Sequence, residues 1–459
     1  MTKRYVKSLF IFRRDLRLED NTGLIEALKY SEYVLPCFIF DPALLEKNEY
    51  RSDNALQFMI ESLQDLKRQL EERSGKLYLF YGKPDKVVRE LIEKGIDAVY
   101  VNRDYTPFSI RRDNAIKELC SGNGIDFHQY GDCLLNEPEK LLKDDGKPYT
   151  LFTPYLRKAM NLEIRKPQIN RYRNFDKVEV GLEEGNEIYK RILPEMNREI
   201  RVHGGRTEAL RILNNLRRYK NYEKERDYPA KDKTTHLSAH NKFGTCSIRE
   251  VYYSIKDQLG STHALITELY WRDFFTHIAL HFPKIFGRSF REKYDRIEWC
   301  YDKKMFKVWC DGITGFPIVD AGMRELNITG FMHNRIRMIT SSFLTKDLHI
   351  DWRWGERYFA RKLVDYDPSV NNGNWQWSAS TGSDAQPYFR IFNPWLQQRK
   401  YDPKCEYIKR WVTELRDLSP KEIHNLDKRR PSKLKDYPEP MVDHSEESRV
   451  AKSMFSGAG

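Results

Sequence analysis

The chain has no tryptophan in its first 270 residues, no CxxC spacing among its seven cysteines, and no glycine-rich turn after its first β-like run. Nor does it hold an uninterrupted apolar stretch of about 18 residues. Each absence removes a class of protein. Cys37, Cys120, Cys133, Cys246, Cys300, Cys310 and Cys405 are odd in number and scattered, which argues against a disulfide framework or a zinc site and for a reducing compartment. With neither a spanning run nor a charged-then-apolar leader, the expectation is a soluble, intracellular, cytoplasmic protein without membrane attachment. No repeat is found, so a solenoid is not expected. A dinucleotide in the first domain would have to bind without the usual G-x-G-x-x-G cradle, because FRRDLRLEDN stands in its place from Phe12 to Asn21.

What remains is ample material for buried cores: 459 residues, 40% hydrophobic and 13% aromatic, enough for two or three domains. The formal net charge of +12 suits a polyanionic partner, as it equally suits a merely solvated basic surface.

The first 130 residues alternate β-rich runs at Ser8, Val34, Lys76, Ala98 and Ile125 with helical patterns, the rhythm of a parallel α/β sheet. Leu56, Met59, Leu63, Leu66 and Leu70 recur at helical spacing, with Ser52 or Asp53 to start the helix and Gly75 to end it. Residues 131–200 lose periodicity and are expected as an interdomain linker, and residues 201–459 read as a mainly helical second domain. The closing SEESRVAKSMFSGAG is expected to fray.

All nine tryptophans lie between Trp271 and Trp411, around an unusually polar stretch from Asp365 to Pro394. Asp365, Asp367, Asn371, Trp375 and Trp377 crowd carboxyl, amide and indole groups where a plain core would hold aliphatics, which suggests a site for a planar polar ligand. In TTHLSAHNKFG the hydroxyls next to a helix start can cap it or help to bind a phosphate. His236 with His240 and His277 with His281 stand at i, i+4 without a third ligand, so no metal site is expected. Glu268, Trp271 and Arg272 share a helical turn, as do Asn334 and Met338, and Asp365 is a candidate partner for Arg337.

FRRDLRLEDN, TTHLS, ELYWRDFF, TGFPIVDAGMRELNITGFMHNRIRM, DWRWGERYF and NNGNWQWSASTGSDAQPYFRIFNP together resemble the DNA photolyase and cryptochrome family, in particular its class I cyclobutane pyrimidine dimer photolyases. The resemblance implies a Rossmann-like α/β antenna domain, an all-α domain holding FAD, and light-dependent repair of UV-damaged DNA by a monomer. It assigns Tyr222, Thr234, Thr235, His236, Leu237, Ser238 and Arg272 to the flavin phosphates, and Arg337, Asp365, Tyr366, Asp367 and Asn371 to the rest of the cofactor. Trp375, Trp352 and Trp299 match the family's electron relay. Glu268, Trp271, Asn334, Met338 and Trp377 match its lesion pocket, and Arg226, Arg335 and Gln397 its DNA contacts. Phe108 and Ser109 replace the acidic residue of folate-binding members, which favours a deazaflavin or second flavin over folate as antenna. The sister functions are a cryptochrome photoreceptor and a photolyase of the 6-4 photoproduct.

Overall fold

The computed structural model describes residues 3–46, 48–182, 184–432 and 434–458. They group into two compact units, one of residues 1–197, 202–218 and 236–283, the other of 198–201, 219–235 and 284–459. The grouping follows packing and crosses the composition boundaries near 130 and 200.

The first unit is built on a parallel sheet of β1 (Tyr5–Phe12), β2 (Ser31–Phe40), β3 (Tyr78–Tyr81), β4 (Ala98–Asn102) and β5 (Asp126–Tyr130), in the order β3-β2-β1-β4-β5. Leu9 of β1 registers with Leu35 on one side and Val99 on the other, and all three are fully buried. Such continuous apolar runs are what a sheet covered on both faces requires. Helix α1 (Asp53–Glu72) buries Leu56, Leu63, Leu66 and Leu70 as its spacing predicts, and the Ser52 hydroxyl caps it by accepting from the Ala55 amide at 3.1 Å. Its end differs from expectation. Ser74, not Gly75, takes the left-handed backbone (φ 57°), while Gly75 lacks a side chain because Phe175 packs against its α-carbon.

Residues 131–200 are more structured than their composition suggests. They supply α2 (Phe152–Met160) and a short helix Glu187–Ile192, and bury Tyr155, Phe175 and Ile188. Elements this short carry too few turns for a periodic signal. The unit is completed by α3 (Ser238–Phe243) and α4 (Ala264–His281).

In place of a glycine cradle, the FRRDLRLEDN segment forms buried ion pairs. Arg17 donates to Asp132 at 2.5 Å, and Arg249 donates to Asp20 at 2.7 Å and to Asp132 at 2.8 Å. The two guanidiniums hold the Asp132 carboxyl well below the usual carboxylate range. Charges buried this deeply persist only when paired.

The second unit is helical, as its patterning predicts. Its elements include α5 (Lys303–Asp311), α6 (Asn334–Lys346), α7 (Trp352–Lys362), α8 (Pro368–Ser378), α9 (Pro394–Tyr401) and α10 (His444–Gly457). Trp299, Trp309, Trp352, Trp375 and Trp395 all lie in its core, so most of the tryptophan clustering is core packing. The expected fraying of the C-terminus does not occur. Asp443 caps α10 through the Ser445 and Glu446 amides, and Phe455, 1% exposed, packs edge-on against Trp299 with ring centres 5.9 Å apart. The composition of the tail is polar, but buried Ala451 and Phe455 and the His444–Asp347 and Glu447–His349 pairs, at 2.5 and 2.6 Å, anchor it.

Candidate functional site

In the first unit, Glu268, Trp271 and Arg272 lie within one turn of α4, and all three are partly exposed. Arg272 donates to Asp273 at 2.9 Å and to the Asn241 carbonyl at 3.4 Å. Asp273 is buried and accepts the Leu135 amide at 2.8 Å; burial pushes its carboxyl up to about 7. Phe152 of α2 stacks on Trp271 with ring centres 3.5 Å apart and planes 9° from parallel, fixing the indole from one side. Phe152 escaped sequence reasoning because it sits in the stretch without periodicity.

Of the TTHLS run, His236, Leu237 and Ser238 belong to this unit. His236 has a left-handed backbone (φ 57°) and precedes α3, so it does not share a helical face with His240. His240 is a core histidine whose Nδ1 is bonded to the Thr245 hydroxyl at 2.8 Å, while its Nε2 is buried without a partner, and burial lowers its ring to about 3. No side chain caps α3, which removes capping as the reason for the hydroxyl-rich run. His277 and His281 lie 4.5 Å apart on α4, and among the described residues no three His, Cys, Asp or Glu side chains form a cluster fit for a metal ion.

In the second unit, Arg337 donates from Nη2 to both oxygens of Asp365, at 2.9 and 3.2 Å, and from Nε to the Met332 carbonyl at 2.8 Å. The expected pair is therefore formed, with Asp365 buried. Tyr366 follows, and Asp367 caps α8 by accepting from the Ser369 and Val370 amides at 3.0 and 3.2 Å. Asn371, buried on the first turn of α8, gives both amide hydrogens to Glu356 of α7, one to its carboxylate at 2.9 Å and one to its backbone carbonyl at 3.0 Å. Its Oδ1 is left to accept a hydrogen bond. Glu356 was not singled out from the sequence, although it stands inside the quoted DWRWGERYF; only the α7–α8 pairing brings it to Asn371.

Trp375 is 2% exposed and meets α7 at Gly355, where a β-carbon would collide with the indole. Trp352 and Trp299 are also buried. Asn334 and Met338 are joined on α6 by an Nδ2–Sδ contact of 3.9 Å, and Trp377 is half-buried on the last turn of α8. Arg226 lies over the Tyr222 ring at 5.6 Å. Arg335 is already engaged, paired with Asp227 at 2.8 Å and placed over Tyr401 at 4.5 Å. Thr234 Oγ1 and Gln397 Oε1 are buried without a partner. Buried polar atoms of this kind are costly unless something completes them, and a hydroxyl beside Thr235 and His236 suits a phosphate oxygen. The Thr234 hydroxyl, able to donate, thus fits an anionic, hydrogen-bonding ligand, whereas the Gln397 amide oxygen calls for a donor.

Residues 265–457 match a model described as the FAD binding domain of DNA photolyase, and residues 8–170 one described as DNA photolyase. A deoxyribodipyrimidine photo-lyase of Alkalihalophilus pseudofirmus is 37% identical, covering 97% of each chain. Among solved structures, the Sulfolobus tokodaii photolyase, which carries two FAD molecules, is 44% identical with TM-score 0.90, over 98% of this chain and 100% of its own. A class III photolyase of Agrobacterium tumefaciens is 33% identical with TM-score 0.92, over 100% of this chain and 98% of its own. A Synechocystis cryptochrome is 28% identical with TM-score 0.90, over 99% and 100%. The chain belongs to the DNA photolyase family. Within it, this protein is an enzyme of the lyase class with an FAD-binding domain.

Proposed function

We propose that this protein repairs cyclobutane pyrimidine dimers in DNA, driven by light, with reduced FAD as electron donor. When bound, FAD supplies the light absorption and the electron, which returns after the ring splits, so no net redox change results. The observation that carries the reading is a pair of fixed polar groups at the start of α8: an Asn371 amide on its first turn whose hydrogens are held by Glu356, and an Asp365 carboxylate in the turn before it held by Arg337. They offer an acceptor and a localised negative charge to a flavin's ring and side chain. Thr234, Thr235, His236, Leu237, Ser238, Arg272 and Tyr222 serve the phosphates in this proposal, and Tyr366 and Asp367 the remainder of the cofactor.

Glu268 and Asn334 hydrogen-bond the polar edges of the dimer, while Trp271, Met338 and Trp377 offer flat, polarizable walls. Extrusion of the damaged bases from the stack is the general route by which such enzymes reach their target, and photolyases are among the standard examples of it. Arg226, Arg335 and Gln397 meet the DNA backbone, Arg335 at the expense of its Asp227 pair; the net charge of +12 supplies longer-range attraction. Trp375, Trp352 and Trp299 carry electrons inward to reactivate oxidised cofactor.

A deazaflavin or second flavin is proposed as antenna, in the crevice outside the carboxyl ends of β1 and β4, where the strand order reverses. The proposed division is an antenna domain of residues 1–130, a linker of 131–200 and a catalytic domain of 201–459, in a cytoplasmic monomer. Among the described residues no helix is long and apolar enough to cross a membrane.

The test uses oligonucleotides carrying either a cyclobutane dimer or a 6-4 photoproduct. Reduced, FAD-loaded protein under blue light should restore only the first. Binding without repair would assign the protein to the cryptochromes, and restoration of the second lesion would make it a 6-4 photolyase.

A further inference from the structure

Lys346, the last residue of α6, is fully buried, and burial holds its ammonium well below the usual lysine range, with no carboxylate of the described residues to offset it. Its Nζ donates to the Ala379 carbonyl at 3.3 Å and to the Ser380 hydroxyl at 3.2 Å, and the Phe455 ring of α10 covers it with its centre 3.3 Å away. Those acceptors lie where α8 ends. A helix end buried away from water must find donors for its last carbonyls, and here each has one. The Trp375 carbonyl accepts the Ala379 amide, Gln376 the Thr381 and Gly382 amides, Trp377 the Ser380 amide, and Ser378 the Gln386 side chain, while Ala379 is served by Lys346. Ser380 holds a left-handed backbone (φ 66°), a conformation costly for serine unless its surroundings enforce it. A second tie lies beside the first, where the Ser341 hydroxyl of α6 donates to the Ser378 hydroxyl at 2.7 Å.

α6 and α8 carry Asn334, Met338 and Trp377, the second unit's share of the proposed lesion pocket. Trp271 is fixed by the ring stacked on it, but Trp377, on the last turn of α8, is placed by the backbone of that turn. We propose that Lys346 is a positioning residue for lesion recognition: by fastening the end of α8 to the end of α6, it sets where the Trp377 indole stands relative to Asn334 and Met338. Phe455 keeps water from competing for the two acceptors. The inference rests on the dimer-repair reading, which supplies the role of Trp377. An apolar side chain of the same length would fill the space of the lysine stem but leave the buried Ala379 carbonyl without a donor, and an unsatisfied buried acceptor costs enough to pull the turn toward another partner. Lys346 touches neither cofactor nor dimer. It acts through Trp377, so its loss changes how well the lesion is held and leaves the chemistry of a bound lesion alone.

The experiment uses FAD-loaded holoenzyme in wild-type, Lys346→Met, Lys346→Arg, Trp377→Ala and Lys346→Met with Trp377→Ala forms. Fluorescence anisotropy in the dark reads binding of a labelled oligonucleotide with and without one cyclobutane thymine dimer, and repair under blue light gives KM and kcat. Lys346→Met should weaken binding of the dimer on the order of tenfold, raise KM, and leave kcat, flavin content and the affinity for undamaged DNA level. Lys346→Arg, which keeps N–H donors, should retain most of the preference. In the Trp377→Ala background Lys346→Met should have no further effect, because the indole it places is gone. If Lys346→Met fails to fold, Lys346→Gln, with a donor on a shorter stem, should show a smaller loss of the same kind. Equal losses for damaged and undamaged DNA, or full additivity with Trp377→Ala, overturn the positioning role. Wild-type protein without any preference for the dimer overturns the repair reading and this inference with it, whereas a wild-type preference unchanged in Lys346→Met overturns this inference alone.

Discussion

Asn371 and Glu356 are joined by two hydrogen bonds from one amide nitrogen, to the carboxylate at 2.9 Å and to the backbone carbonyl at 3.0 Å. An amide can present a donor or an acceptor, and this pairing selects the acceptor. Glu356→Leu removes the carboxylate and leaves part of the amide unsatisfied. The expected loss is about 1–3 kcal/mol of unfolding free energy by urea titration, together with an altered absorption spectrum of bound FAD. An unchanged spectrum would mean that Asn371 keeps its orientation without Glu356.

Asp365→Ala strips Arg337 of its partner while the guanidinium stays one-quarter exposed. The penalty therefore belongs at the lower end of the ~3–5 kcal/mol seen for broken buried pairs. Flavin retained through gel filtration should fall more than it does in Asp365→Asn, which keeps an acceptor. Equal retention in wild-type and Asp365→Ala would remove Asp365 from the cofactor site.

Phe152→Ala removes the ring stacked on Trp271. Deleting a buried aromatic costs about 3–5 kcal/mol, and the indole is no longer held from that side. Binding of dimer-containing DNA should weaken while binding of undamaged DNA, governed by phosphates, stays level. Phe152→Tyr, which keeps the ring, should restore lesion binding. If both affinities fall together, Phe152 supports the fold rather than the pocket.

Glu325 is buried and accepts the Tyr407 hydroxyl at 2.6 Å; burial raises its carboxyl from 4.5 to about 7. The folded protein therefore binds this proton more tightly than the unfolded chain does. Its contribution to stability is complete below pH 4.5 and is lost as pH rises through about 7. Urea midpoints of wild-type protein should decline over that window, and Glu325→Gln should flatten the decline. Parallel profiles would place the titration elsewhere.

The alternation of β-runs with helical patterns was legible in the chain because a parallel sheet buried on both faces demands near-continuous apolar strands. Leu56, Leu63, Leu66 and Leu70 identified α1 for the same reason: burial of one stripe imposes the period. The candidate residues proposed for the site on α4, α6 and α8 stand out through motifs whose residue types are unusual for a core. Short or locally polar pieces do not. Phe152 sits in a nine-residue helix inside charged, proline-bearing sequence, and the C-terminal helix is held by partners distant in sequence, Trp299 against Phe455, Asp347 with His444 and His349 with Glu447. The Glu356–Asn371 bonds join two helices, and the Arg337–Asp365 bonds join a helix to the turn before α8. Local sequence determines which faces of those helices are apolar, but which side chains meet is decided only when the helices pack, because that choice depends on complementary shapes and paired polar groups distributed along the whole chain.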